Sequence, residues 1–262
     1  MRQPKNVPND TQPQGADRFP ATRWSVIDAA RSHYLGERER ALETLFAAYW
    51  KPIYKYVRVH WNRPAEDAQD LTQGFFAELL ERELLAKYDP EKSRLRTYLR
   101  ICIDSFVINQ DKAAHRQKRG GNVLHVALDF EAAESELHGR VMDAAAIPSR
   151  DSVEEFFEKE WIRSLFTLAL EDLRKLCQDR HRETTFHLFE EYDLDGDQDV
   201  SYDKLAQKHG IPATEVTNAL AWARREFRRI ALERLREICG SYDEFQREVI
   251  AVFGKGHDRD LR

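Results

Sequence analysis

Apolar side chains recur every three or four residues along most of this 262-residue chain. Such spacing places them on one face of an α-helix. The clearest stripes are Leu42, Leu45, Phe46, Tyr49, Ile53 and Val57; Ala68, Leu71, Phe75 and Leu79; Leu95, Leu99, Cys102 and Phe106; and Phe157, Trp161, Leu165, Leu168 and Leu176. Only Val123–Leu128 shows a short strand-like pattern. The sequence therefore predicts an all-α fold, with a kink or two short helices where Pro52 interrupts the first stripe.

A break in this periodicity divides the chain. Between residues 120 and 152 no helical period is sustained, and Gly, Pro and acidic residues are frequent. We expect this stretch to be an acidic linker between two helical domains, residues 19–119 and 153–254. Polar tails, residues 1–18 and 255–262, flank these domains. The N-terminal tail is rich in Pro, Gln and Asn and has no apolar signal core.

The distribution of charge along the chain is more informative about binding partners than the net charge. The formal net charge is −5 at pH 7, which is unusual for a protein that binds DNA on its own. Segments 94–119 and 202–236 are nevertheless basic, whereas segment 129–160 is strongly acidic. A partner that masked the acidic segment, or held the basic faces in place, would allow such a chain to bind DNA.

No apolar run approaches the roughly 20 residues that a membrane span needs, so we expect a cytoplasmic protein. The three cysteines lack metal-ligand spacing and are expected to be buried free thiols.

Residues 202–220 have the order of features of a helix-turn-helix. Leu205 and Ala206 can pack inward on a first helix. Gly210 permits the turn that ends this helix, and Ile211 can fill the corner. The buried stripe of the second helix would be Val216, Leu220, Ala223 and Phe227. Outside that stripe lie Thr214, Thr217, Asn218, Ala221, Trp222, Arg224 and Arg225.

The outward residues have the chemistry of DNA contacts. In a helix-turn-helix the N-terminal half of the second helix enters the major groove. The amide of Asn218 can pair with an adenine edge, and threonine can contact a base or a phosphate. Phosphate contacts would come from Arg224, Arg225, Arg228 and Arg229. A plain helical hairpin with a solvated basic face is the alternative that this segment alone leaves open.

Motifs elsewhere in the chain resemble, in the same order, bacterial sigma factors of the extracytoplasmic-function group. Residues 67–76, Asp-Ala-Gln-Asp-Leu-Thr-Gln-Gly-Phe-Phe, resemble the acidic core-binding helix of sigma region 2. Residues 96–100, Arg-Thr-Tyr-Leu-Arg, and the basic tail to Arg119 resemble the helix that opens and reads the −10 element. Residues 201–229 resemble region 4, and the linker leaves no room for a region 3 domain. The Phe-Pro-Ala-Thr-Arg-Trp sequence at 19–24 resembles a divergent branch of the group.

This resemblance implies partners and binding roles, and no catalysis, cofactor or metal. Core RNA polymerase would bind Asp67, Asp70 and Gln73, on a face that could otherwise be merely solvated. The −10 element would be held by Arg94, Arg96, Arg100 and Arg116, while Tyr98 would either stack on an unpaired base or pack in the core. The −35 element would meet Thr214, Thr217, Asn218, Ala221, Trp222, Arg224, Arg225 and Arg228. Promoter DNA and polymerase are thus the expected partners, together with an anti-sigma factor or other regulator.

The sequence offers three alternatives to this function. Asp193–Asp199 resembles the start of an EF-hand loop, but Gln198 stands where that loop needs glycine, and Lys204 stands where it needs a bidentate glutamate. A helix-turn-helix regulator that works without polymerase would need a dimer interface and would not need the Asp70 helix. The histidines show no triad or metal-ligand spacing and no glycine-rich phosphate loop is present, so nothing predicts an enzyme.

Overall fold

Every regular element in the described part of the chain is a helix. The computed structural model describes residues 26–30, 34–114, 128–138, 150–195 and 200–254. The α-helices in these residues are α1 (Val26–Ala30), α2 (Leu35–Val59), α3 (Ala65–Glu81), α4 (Leu95–Ala114), α5 (Phe130–His138), α6 (Arg150–Asp179), α7 (Glu183–Phe189), α8 (Tyr202–His209), α9 (Ala213–Ile238) and α10 (Tyr242–Phe253). A 3-10 helix, Leu84–Lys87, follows α3, and a π-helical turn, Glu190–Leu194, follows α7. For these residues the all-α prediction is confirmed.

Helix α2 runs unbroken through its proline. Pro52 has no amide hydrogen for the helical ladder, yet α2 continues for 25 residues on both sides of it. Leu45, Tyr49 and Ile53 are buried on the same face, so packing on both sides of the proline compensates for the missing bond. Of the two predicted alternatives, a kink or two short helices, the second does not occur.

The larger hydrophobic core joins the first half of the chain to its C-terminal end. Helices α1 to α5 and the first half of α6 supply most of it, including the fully buried Tyr54 and Trp161. Leu235 from the end of α9, together with Phe245 and Val249 from α10, belongs to the same core. The C-terminal helix therefore packs on the domain predicted for residues 19–119.

A second core lies between the end of α6 and helices α7 to α9. It contains Leu173 and Cys177 from α6, Phe186 from α7, Leu205 from α8 and Leu220 from α9. Helix α6 thus contributes to both cores along its 30 residues. The division into two domains joined by a linker remains a prediction, because one continuous helix connects the two cores.

The predicted linker contains a docked helix. The ring of Phe130 in α5 lies 4.9 Å from that of Tyr54 and 5.5 Å from that of Trp50, between centroids. The carboxylate of Glu134 accepts hydrogen bonds from the Tyr54 hydroxyl, at 2.6 Å, and from Nε of Arg58, at 2.5 Å. This short stretch is therefore held on α2 by aromatic packing and an ion pair, which a search for sustained periodicity does not detect.

Further predictions concern the cysteines, the strand candidate and membrane-spanning segments. Cys177 and Cys239 are buried free thiols, as predicted, while Cys102 is half-buried. Residues 1–25 and most of the strand candidate, residues 123–127, lie outside the part of the chain that the structure describes. Within that part, no helix is both long and apolar enough to cross a membrane.

Candidate nucleic-acid interface

A tight turn joins α8 to α9. Gly210 adopts a left-handed conformation, with φ of 66°, which other residues rarely take. The amide of Ile211 then donates to the carbonyl of Ala206 at 3.0 Å, as in a Schellman motif. At the other end of α8, the hydroxyl of Ser201 accepts a hydrogen bond from the amide of Lys204. Both ends of the short helix are therefore fixed by local capping.

The buried side of α9 determines which residues face outward. Val216, Leu220 and Ala223 are fully buried against α7 and α8. Successive residues are about 100° apart around a helix, so the opposite side carries other positions. Exposed residues on that side are Thr214, Asn218, Ala221 and Arg225, with Thr217 exposed at its margin. This arrangement has the features of a helix-turn-helix with an open reading face.

Arg224 lies at the edge of this face and is engaged by an acidic residue. Its Nη2 lies 2.9 Å from Oδ1 of Asp193, and its Nε lies 3.0 Å from Oδ2. A third contact joins its Nη1 to the hydroxyl of Tyr202 at 3.3 Å. Arg225, by contrast, is exposed and makes no ion pair with any residue of the described ranges. Of the two arginines, Arg225 is the one available for a phosphate.

Two other predicted DNA contacts pack against neighbours. Trp222 is half-buried, and the guanidinium of Arg182 lies 4.7 Å from its ring centroid. The guanidinium of Arg228 lies 5.5 Å from the ring centroid of Phe253. Cation–π contacts of this kind are worth about 0.5–1 kcal/mol at exposed sites. Both side chains therefore have structural roles besides any contact with DNA.

The acidic face predicted for polymerase lies open on α3. Asp67 and Asp70 are exposed, and Gln73 is half-buried beside them. Neither aspartate makes an ion pair or hydrogen bond with a residue that the structure describes. The opposite side of the helix is buried through Phe75 and Leu79. This face can accept a basic partner without disturbing the core.

The arginines at the start of α4 face carboxylates of the same chain. Nη2 of Arg96 lies 2.6 Å from Oε1 of Glu158, and its Nη1 lies 2.9 Å from Oε2 of Glu248. Arg94 lies 3.6 Å from Glu248 and 3.9 Å from Glu158. Arg100 reaches Glu154 at 2.5 Å. In this arrangement Arg96 is only 4% exposed, so the predicted grip on DNA requires these carboxylates to be displaced.

Tyr98 packs within the protein in this structure. Its hydroxyl donates to the carbonyl of Leu84 at 2.7 Å, and its ring lies 5.4 Å from that of Tyr88. Tyr98 is half-buried and packs as the core alternative predicted. Stacking on a base would require its side chain to turn outward. Arg116 lies outside the described residues.

Sequence reasoning missed two buried carboxylates beside the start of α4. Glu244 and Glu248 are almost completely buried on α10 although both are charged types. Burial raises the pKa of Glu248 to about 7, against the opposing pull of Arg96 and Arg94. The only signal in the sequence was the i, i+4 spacing of these two glutamates beside Phe245 and Val249, which places them near the apolar face of an amphipathic helix.

The calcium alternative gains nothing from the described residues. Asp193, the first position of the resembling loop, is bonded to Arg224, and residues 196–199 lie outside the described part of the chain. Within that part, no group of three or more His, Cys, Asp or Glu side chains is arranged to hold a metal ion.

Comparison with known proteins identified no relative: no protein-family model, curated protein or solved structure matches this chain. Only the residues and their arrangement therefore bear on the function.

Proposed function

We propose that this protein is a sigma factor that binds core RNA polymerase and directs it to promoters in the cytoplasm. The observation that carries the proposal is the helix-turn-helix formed by α8 and α9. Its exposed row of Thr214, Asn218, Ala221 and Arg225 combines a base-reading amide with a phosphate-binding guanidinium. The resemblance of residues 67–76 and 96–100 to sigma region 2 supports the same function.

Each surface would have one role in promoter recognition. The Asp70 face of α3 would dock on a basic surface of the polymerase, and α9 would read the −35 element. The start of α4 would hold the separated strands at the −10 element. Polymerase would bring these weak contacts together, so that the second contact becomes effectively intramolecular. A net-acidic protein can bind DNA in this way without strong affinity for free DNA.

A charge reversal on α3 tests the proposal. Asp70→Arg should weaken binding to purified core polymerase by about 30-fold or more, since losing an interfacial charge partner costs roughly 2–5 kcal/mol. Glu43→Arg is the matched control, because Glu43 is an exposed acid on a different helix, α2. Binding is measured by fluorescence anisotropy, and thermal unfolding confirms that both variants fold.

The same experiment separates the sigma factor from a regulator that acts alone. If neither the wild type nor the control binds core polymerase, but the protein binds duplex DNA as a dimer, the regulator is the correct function. Equal polymerase affinities for Asp70→Arg and Glu43→Arg would show that the docking face is wrongly assigned.

A further inference from the structure

Charge pairing at the start of α4 is nearly complete. Arg94 and Arg96 each face both Glu158 and Glu248. Arg100 faces Glu154. The guanidinium of Arg96 also lies 4.8 Å from the ring centroid of Trp161. Two glutamates come from α6 and one from α10, so two helices distant in sequence cover one basic segment.

Helix α10 is also fastened to the backbone at the start of α4. The carboxylate of Glu244 accepts hydrogen bonds from the amides of Leu95 and Gly240, both at 2.7 Å. Arg247 donates to the carbonyl of Pro90 at 3.0 Å. Glu244 is 1% exposed, so water does not compete for these bonds. Amides at a helix start otherwise lack partners and form a natural anion site.

We propose that the start of α4 binds the phosphates of single-stranded DNA, and that the chain keeps this site closed with its own carboxylates. A carboxylate meets guanidinium groups and helix-start amides through the same charge-assisted hydrogen bonds as a phosphate. The carboxylates that occupy these positions are Glu154, Glu158, Glu244 and Glu248. Opening requires α6 and α10 to release the arginines. This inference rests on the proposed function and adds regulation to its −10 site.

Exposed glutamates on α6 allow a test that leaves the core intact. The side chains of Glu154 and Glu158 are 56% and 40% exposed, and Glu154→Gln with Glu158→Gln removes two competing charges while keeping a side-chain oxygen that can accept the arginine hydrogen bonds. Glu155→Gln is the matched control, because Glu155 is also an exposed glutamate on α6 and pairs only with Lys159 among the described residues, at 3.8 Å. The probe is an A/T-rich single-stranded oligodeoxynucleotide of about 12 nucleotides, titrated into the full-length protein over a salt series.

The double variant should bind this probe roughly 3- to 10-fold more tightly than the wild type, because each exposed pair opposes binding only modestly. Its affinity should also fall more steeply with salt, by about one unit of log–log slope, since freed arginines neutralise more phosphates. Glu155→Gln should match the wild type in both measurements. Equal affinity and slope for the double variant and the control would overturn the proposal.

Amide hydrogen exchange of the wild-type protein provides a second test of the closed site. Saturating oligonucleotide should accelerate amide exchange in α10, because the helix loses the contacts of Glu244 and Glu248. Unchanged exchange at saturation would show that DNA binds without opening the site and would also overturn the proposal.

Polymerase binding distinguishes the two possible failures. If the chain supports promoter-specific transcription while the double variant behaves like Glu155→Gln, only the closed site is disproved. If the double variant behaves as expected but core polymerase does not bind, the proposed function fails and the closed phosphate site stands.

Discussion

Glu248 is a residue at which burial and ion pairing oppose each other. Its carboxylate is 3% exposed and lies against Arg96 and Arg94, with Glu244 and Glu158 nearby. Burial dominates and raises its pKa from 4.5 to about 7. The folded protein therefore holds a proton on this group more tightly than the unfolded chain does, so protonation favours folding. This contribution is fully present below about pH 4.5 and is lost as the pH rises through about 7.

Replacing Glu248 with glutamine should remove that pH dependence. The free energy of unfolding of the wild type, minus that of Glu248→Gln, should fall by roughly 3 kcal/mol between pH 4.5 and pH 8. Urea denaturation at a series of pH values measures this difference and cancels the titration of groups that the two proteins share. A difference that stays constant over this range would mean that burial does not perturb Glu248.

Individual residues also show where sequence reasoning stops. The sequence identified Arg96 as basic and placed it on a helix, but its partner Glu158 lies 62 positions away along the chain. Only the tertiary fold brings them together. Gly74 is a similar example: a Cβ atom there would lie 3.1 Å from the ring of Phe106. A side chain at this position would require the Phe106 ring to shift by a few tenths of an ångström, which opposes the roughly 1 kcal/mol that alanine would otherwise gain over glycine in a helix.

Among the helices, those with strong local signals were predicted best. The apolar stripe Leu95, Leu99, Cys102 and Phe106 predicted a helix, and these residues lie on α4. The turn at Gly210 follows from the need for a left-handed residue. Helix α5 was missed because it has nine residues in an acidic stretch, and its contacts with α2 are non-local. The candidate interface on α9 could therefore be predicted from local sequence. The burial of the arginines at the start of α4 could not, because it depends on packing between helices that are distant in sequence.

The reading face of α9 predicts two different effects of mutation. Asn218→Ala should cost roughly 1–3 kcal/mol at one base pair of the −35 element and relax the preference there. Arg225→Ala should weaken all promoters alike and reduce the salt dependence, because a phosphate contact carries no sequence information. The measurement is transcription by each variant across single-base substitutions of the −35 element.

Arg224→Ala serves as the comparison for this pair of variants. Arg224 is bonded to Asp193, so its loss should reduce DNA binding less than the loss of Arg225. A uniform loss for Asn218→Ala, together with a base-specific loss for Arg225→Ala, would show that the helix is oriented differently in the groove.

The molecule as a whole is tied together by α6 and by charge pairs between helices. Lys55 of α2 bonds Glu136 of α5 at 2.6 Å and the buried Glu160 of α6 at 2.9 Å. Arg234 of α9 bonds Asp172 of α6 at 2.6 Å. Glu136, in the stretch predicted to be an acidic linker, thus pairs with a basic residue of α2. In this protein of net charge −5, part of the basic charge is therefore paired within the chain.

Because α6 serves both hydrophobic cores, we expect the protein to unfold in one cooperative transition. Leu165→Ala removes a buried side chain from the larger core, and Leu173→Ala removes one from the second core. Each should lower the free energy of unfolding by about 2–5 kcal/mol and shift the entire transition. Calorimetry tests this by comparing the calorimetric and van't Hoff enthalpies, which agree for a two-state protein. Lys175→Ala, at an exposed position of α6, should leave the midpoint nearly unchanged. Two resolved transitions, each moved by only one of the leucine variants, would instead establish two independently folding domains connected by a helix that does not couple them.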